Sequence, residues 1–347
     1  FEYVLPYYDF STTLLSNDKW TLGLSSNGKN VLSNTNQLKS SITNNINYTS
    51  NDFVSSFGFV NNIGIYLRNS NFLGKNVPNY RSSPRSEILN IYEFKSELPL
   101  IKEGNNTAEF ITPKVSFRIN PSDMKDYNGN KSIITTDNVF SIDRYGFSDS
   151  FESGKSLTIG VDYRREKKND KDKYLEFKLA NIIRDTPEYK IPRSSSAQGQ
   201  MSNIFGSIEN KFTDSVKFNY KFSLDNNLKD MEYSDFSTEI SINNFVTEFS
   251  FKEENGETGD TNYIENTTSV NFDENNSVKF KTRRNRKISL TEYYDLVYQY
   301  EIDCLTAGIK YRKTYYQDRD LTPKEDLFFT ITLFPLASLD QKIDKNV

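Results

Sequence analysis

Residues 293–337 read YYDLVYQYEIDCLTAGIKYRKTYYQDRDLTPKEDLFFTITLFPLA. Tyr294, Leu296, Tyr298, Tyr300 and Ile302 fall at every second position, with Asp295, Gln299 and Glu301 between them. A pleated backbone sends alternate side chains to opposite faces, so this pattern predicts a strand with one apolar and one polar face. After Asp303 and Cys304 the alternation resumes, with Leu305, Ala307, Ile309, Tyr311 and Tyr315 set against Thr306, Lys310, Arg312 and Thr314. A two-residue reversal therefore predicts a long antiparallel hairpin. The Phe-rich segment after it predicts a closing strand.

The same alternation extends upstream. Val216, Phe218, Tyr220, Phe222 and Leu224 alternate with Lys217, Asn219, Lys221 and Ser223, so a slip of one residue would turn two lysines onto the apolar side. Further strands are predicted in residues 157–163, 174–182, 236–242, 245–251, 270–272, 278–280 and 329–333, none with an interior proline. Many of these segments approach the roughly ten residues that a tilted strand needs to cross a bilayer. Hydrophobic residues make up only 35% of the chain and mean hydropathy is -0.68, with no apolar run long enough for a transmembrane helix. A membrane barrel is compatible with such values, because only alternate residues meet lipid while aromatics, here 22 Tyr and 26 Phe, form its interfacial girdles. The expected fold is all-β, an antiparallel transmembrane β-barrel of the outer-membrane kind with about 17 strands.

The links support this. Asn243-Asn244, Glu274 to Asn276 and Asp303-Cys304 are tight, whereas residues 253–261, 284–291 and 317–325 are longer and polar. Alternation of short and long links is the pattern of periplasmic turns and external loops. Extended backward, it puts residues 185–201 and 121–154 outside and residues 167–172 in the periplasm. All 347 residues are read as one barrel domain. An odd strand count and a first residue, Phe1, already in strand-like sequence lead us to expect an N-terminally truncated fragment, its first strands missing.

Histidine is absent, which removes Ser/His/Asp and Cys/His catalysis and most zinc sites, so no enzyme, cofactor or metal is expected. A net charge of -4 and a pI near 5.3 argue against a general nucleic-acid role. The basic run containing Arg283, Arg284, Arg286 and Lys287 starts on the polar face of a strand and ends in an expected external loop. It is either a solvated charged loop or a set of contacts for lipid-headgroup phosphates, which guanidinium groups bind bidentately. Asp143-Arg144-Tyr145-Gly146 lies in the longest link, as a local ion pair or as a lock on that loop. The lone Cys304 is either a free buried thiol or half of a disulfide to a segment elsewhere.

Two stretches resemble one family. The cysteine-bearing hairpin with the strand after it, residues 293–336, and the segment DRYGFSDSFESGKSLTIGVDY, residues 143–163, are similar to the barrel of LptD, the lipopolysaccharide-assembly or organic solvent tolerance family. The resemblance implies the Gram-negative outer membrane. It implies a translocon that passes lipopolysaccharide through the barrel lumen and out sideways into the outer leaflet. An N-terminal periplasmic jelly-roll, absent here, an LptE-like plug lipoprotein and an LptA-like periplasmic bridge belong to that picture. Carried over, Cys304 would bond to the N-terminal region, and the last strand, Phe328, Phe329, Thr330, Ile331, Thr332, Leu333 and Phe334, would form one side of the lateral gate. The family often has two adjacent cysteines at this turn, whereas Asp303 precedes the single Cys304 here. A passive porin-like channel is the alternative that alternation alone leaves open, and a soluble β-rich adhesin would instead bury the Val216–Leu224 face on protein.

Overall fold

The computed structural model describes residues 2–77, 82–147, 149–255, 261–315, 322–333 and 337–344. It is almost wholly antiparallel β-structure. The first strands are β1 (Glu2–Ser16), β2 (Trp20–Ser33), β3 (Gln37–Ser50), the two-residue β4 (Phe53–Val54), β5 (Val60–Lys75), β6 (Arg85–Glu97), the short β7 (Leu100–Glu103) and β8 (Thr107–Asn120). Then follow β9 (Gly154–Lys167), β10 (Asp170–Arg184), β11 (Ile204–Asn210), β12 (Val216–Leu224), β13 (Met231–Ile242), β14 (Phe245–Glu254) and β15 (Asn262–Asn271). The remaining five are β16 (Asn276–Asn285), β17 (Leu290–Ile302), β18 (Leu305–Thr314), β19 (Lys324–Leu333) and β20 (Ala337–Asp344). The helical content among the described residues is a single 3₁₀ turn, Arg193–Ser195.

Chain neighbours pair antiparallel: β1 with β2, β2 with β3, β3 with β5, β5 with β6 and β6 with β8, then β9 with β10, and an unbroken series from β12 to β20. This is the up-and-down meander of an outer-membrane barrel. The chain divides into two compact units, one of residues 1–102, 110–163 and 178–205, the other of residues 103–109, 164–177 and 206–347.

In the second unit the registers align the apolar sides into one face. Phe280 lies opposite Leu296, Leu296 opposite Tyr311, Tyr298 opposite Ile309, and Ile309 opposite Phe329. These side chains are open to the surroundings, Leu296 at 48% and Ile331 at 46%, and a lipid-facing surface requires that exposure. Val216 is likewise exposed, and Phe218, Tyr220, Phe222 and Leu224 of the same face are half-buried. The opposite, inner face carries the row Lys281, Asp295, Arg312 and Asp326 on successive strands. Arg312 clasps Asp295 through Nε and Nη2, both at 2.6 Å, and Lys310 approaches the same carboxylate at 3.2 Å. Alternating cations and anions across the rungs let a wet face carry many charges without like-charge repulsion.

Three expectations change. There are twenty strands among the described residues, against about 17 read from the sequence. Phe328, Phe329, Thr330, Ile331, Thr332 and Leu333 lie in β19, which is followed by and paired with β20, so they are not in the last strand; Phe334 lies outside the described residues. Arg284 belongs to strand β16 and not to a loop, because the β16–β17 link is only residues 286–289.

Candidate functional site

The first unit is organised around two long connections, residues 121–153 between β8 and β9 and residues 185–203 between β10 and β11. Both are expected among the external links. The apolar residues Met124, Ile134, Val139 and Phe147 of the first are buried with Ala180 and Ile182 of β10, Phe205 of β11, and Ile191 and Ala197 of the second connection. Tyr127, Phe147 and Tyr145 stack in order, with ring centroids 3.9 and 5.2 Å apart. Backbone contacts join the connections: the Tyr127 N–H donates to the Lys190 carbonyl at 2.7 Å and the Ser132 N–H to Ser194 Oγ at 2.9 Å. A smaller cluster sets Phe151 against Leu89 and Ile91 of β6, with Tyr66 and Ile142 alongside. A polar inner wall thereby acquires an apolar core, supplied by its own loop.

At the base of this core sits Glu152, buried among three arginines. Arg144 donates from Nε to Oε2 at 2.7 Å and from Nη2 to Oε1 at 3.3 Å. Arg118 of β8 and Arg184 of β10 also donate to the carboxylate. Several of the other guanidinium protons go to the loop and the wall. Arg118 Nη1 donates to the carbonyls of Ser141 and Ile142 at 2.8 and 2.6 Å, Arg184 Nη2 to that of Ser153 at 2.6 Å, and Arg144 Nη2 to Ser156 Oγ of β9 at 2.9 Å. Asn120 Nδ2 adds a bond to the Glu152 carbonyl at 2.9 Å. Charges taken out of water persist when they are paired and hydrogen-bonded, and most of this cluster is built that way, the buried Arg184 Nε being left without a partner. Burial by itself would raise the Glu152 carboxyl, but Arg144, Arg118 and Arg184 outweigh it and hold it down at about 2. Burial lowers Arg144 to about 10, so it stays cationic at neutral pH.

Two glycines make the approach feasible. Gly154 turns the loop into β9 at φ +83°, a conformation that side chains rarely adopt, and a Cβ there would stand 3.6 Å from Arg184 Nη2. Gly160, in β9, faces Phe140 of the loop, whose ring would be 2.9 Å from any Cβ. Further out, Arg68 of β5 donates to the Phe147 carbonyl at 2.9 Å, and its guanidinium lies 4.4 Å above the Phe151 ring.

The structure brings Arg144 into this cluster by pairing it with Glu152, eight residues on and outside the 143–146 motif. Cys304 is exposed in the β17–β18 turn, so the buried-thiol alternative is set aside. Of the basic run, Arg283 pairs with Glu292 at 2.8 Å and lies over the Tyr263 ring at 3.9 Å. Arg284 is exposed opposite Ile264, on the lipid-facing side, whereas Arg286 and Lys287 are exposed in the turn. Sequence reasoning missed Glu152, Arg118 and Arg184. The partners of Glu152 lie 34, 8 and 32 residues away, and no local pattern spans such distances.

Comparison with solved structures finds outer-membrane receptors and transporters at very low identity. The ferric enterobactin receptor PfeA of Pseudomonas aeruginosa matches at 9% identity and a TM-score of 0.45, over 97% of this chain and 63% of that one. The siderophore receptor PirA of Acinetobacter baumannii matches at 8% and 0.44, over 95% and 64%, and the copper transporter OprC at 9% and 0.39, over 97% and 65%. The chain thus spans under two thirds of the length of each. A comparison with curated protein sequences finds no match. The family model described as LPS transport system D, LptD, matches residues 68–302, a range that holds the whole Glu152 cluster and ends just before Cys304. With well over half of its residues matched, the chain belongs to the LptD family of the Gram-negative outer membrane.

Proposed function

We propose that this chain is the membrane-spanning part of a lipopolysaccharide translocon, carrying the glycolipid's sugars along the inner face of the wall while its acyl chains enter the outer leaflet. The observation that carries this reading is the family match over residues 68–302. The chemistry agrees with it. An inner face of paired charges offers hydrogen bonds to a polar chain without trapping it, and the outer face is apolar enough to sit in lipid. The latched loop of residues 121–153 would narrow the passage and keep it from leaking small solutes.

The finer parts are proposals of the same kind. An amphiphile leaves such a barrel without dragging its sugars through hydrocarbon only where the wall parts, and a junction of terminal strands is the weakest pairing to part. On that reading β19, with Phe328 to Leu333, supports β20 beside the seam. Arg286 and Lys287, exposed in their turn, would meet headgroup phosphates. Cys304 would tie the β17–β18 turn to a periplasmic region of the full-length protein. An LptE-like plug and an LptA-like bridge would complete the path.

The test is genetic. Cells depleted of their own copy and supplied with the full-length protein should display lipopolysaccharide at the surface. Accumulation of the glycolipid at the inner membrane on depletion supports the reading, and unchanged surface lipopolysaccharide on depletion sinks it.

A further inference from the structure

The inner wall of the first unit holds a cavity of about 390 Å³ next to Phe140. That is within the size range of ligand sites. Its polar lining comes from Asp52, Asn62, Lys95, Glu97 and Lys114, and Phe140 of the latched loop closes one side. Registers put Asn62 opposite Lys95 and Glu97 opposite Lys114, so these four side chains share one face.

The charges say what the cavity would take. Lys95 is held by Glu93 at 3.0 Å, and Lys114 by Asp162 at 2.7 Å and Glu97 at 3.8 Å. Asn62 Nδ2 donates to Asp52 Oδ1 at 3.2 Å. Counting Glu93 and Asp162 behind them, four carboxylates face two ammonium groups. A phosphate entering here would meet net repulsion and no unengaged cation. An uncharged ligand rich in hydroxyls is suited, because each hydroxyl both donates and accepts and can join a network of paired carboxylates, ammoniums and amides. Phe140 adds a flat apolar surface of the kind that the C–H face of a sugar ring covers. Its position is fixed from behind, since the glycine at 160 lets the ring lie against β9.

We propose that this cavity is a subsite for an uncharged pyranose, with Phe140 against the ring's C–H face and Asn62, Lys95, Glu97 and Lys114 holding its hydroxyls. It deepens the translocon reading and rests on it, by naming neutral sugar as the part of the cargo that pauses on the wall. The experiment is saturation-transfer NMR on the full-length protein in detergent, with maltoheptaose as the neutral probe and inorganic pyrophosphate as competitor. Saturation should reach the sugar's C–H protons in the wild type. Phe140→Leu, which keeps the apolar bulk, and Lys95→Gln, at a half-exposed position, should each weaken apparent affinity at least tenfold, with folding checked by heat-modifiable gel mobility. Pyrophosphate should not displace the sugar. No transfer to the wild type, equal affinity in both folded variants, or displacement by pyrophosphate would each overturn the subsite. Surface lipopolysaccharide, followed separately in depleted cells, judges the translocon reading, so the two can fail independently.

Discussion

Glu152 is the residue on which the inward loop turns, because its carboxylate is the shared anion of three buried guanidiniums that reach it from β8, the loop and β10. Glu152→Gln keeps the shape and removes the charge, and loss of one member of a buried ion cluster typically costs about 3–5 kcal/mol. The β-wall should survive while the loop releases, so limited proteolysis in detergent should cut within residues 121–153 of the variant and spare the wild type. The pH dependence has a definite sign. The folded carboxyl sits at about 2, below its ordinary 4.5, so its contribution is fully present above about 4.5 and is lost as pH falls towards 2. That difference corresponds to about 3 kcal/mol. Loop protection measured by hydrogen exchange should therefore hold at neutral pH, weaken below pH 4.5 and be lost near pH 2; protection independent of pH across that window would count against the latch. Gly160→Ala tests the same packing from the strand side. Its Cβ would fall 2.6 Å from the Leu179 carbonyl oxygen as well as against Phe140, and overpacking of this kind costs about 1–3 kcal/mol. A Gly160→Ala protein with unchanged urea midpoint would show that the loop ring yields freely.

At the level of strands, face assignment is the quantity that mutation can read. Leu296 sits on the exposed apolar face of β17, and Gln299, three residues on, points to the other. A lysine on the lipid side near mid-bilayer costs about 2–4 kcal/mol, whereas a surface change on the wet side stays within about 0.5 kcal/mol. Folding titrations into lipid vesicles should thus separate Leu296→Lys from Gln299→Lys, and equal effects would reverse the faces. These faces were legible in the sequence because aromatic and charged residues alternate there with high contrast. Contrast fails elsewhere. In β2 and β3, segments such as LSSNGKNV and TNNINYTS place Ser, Asn and Gly on both faces, and β20 reads ASLDQKID, so neither alternation nor strand number could be read there. The inward fold of residues 121–153 was illegible for a different reason. A polar, glycine-containing link carries the composition of an external loop, and its few apolar residues acquire a destination only once β6, β10 and β11 surround them. Arg144 alone hinted at a lock; its partner Glu152, and the arginines at the ends of β8 and β10 that share that carboxylate, were beyond any local signal.

For the whole molecule, the translocon proposal requires that this wall of hairpins be joined to further parts of an export machine. The chain contains a single cysteine, exposed in a two-residue turn that is otherwise closed by the pairing of Ile302 with Leu305. Nothing in the turn's own geometry needs sulfur there, and serine would fill the same volume. On the proposed tether, this exposed thiol would stand in an oxidising compartment and bond to a cysteine of another segment. Closing a loop with such a disulfide would stabilise the assembled protein chiefly by restricting its unfolded chain, typically by about 2–4 kcal/mol. Cys304→Ser should therefore leave the folded-barrel band on a heat-modifiable gel intact, while the wild-type full-length protein should differ in mobility between reducing and non-reducing gels and the variant should not. The substitution should also lower the amount of mature protein in the membrane. If wild-type protein runs identically with and without reductant, the tether is absent, and the turn is only a turn.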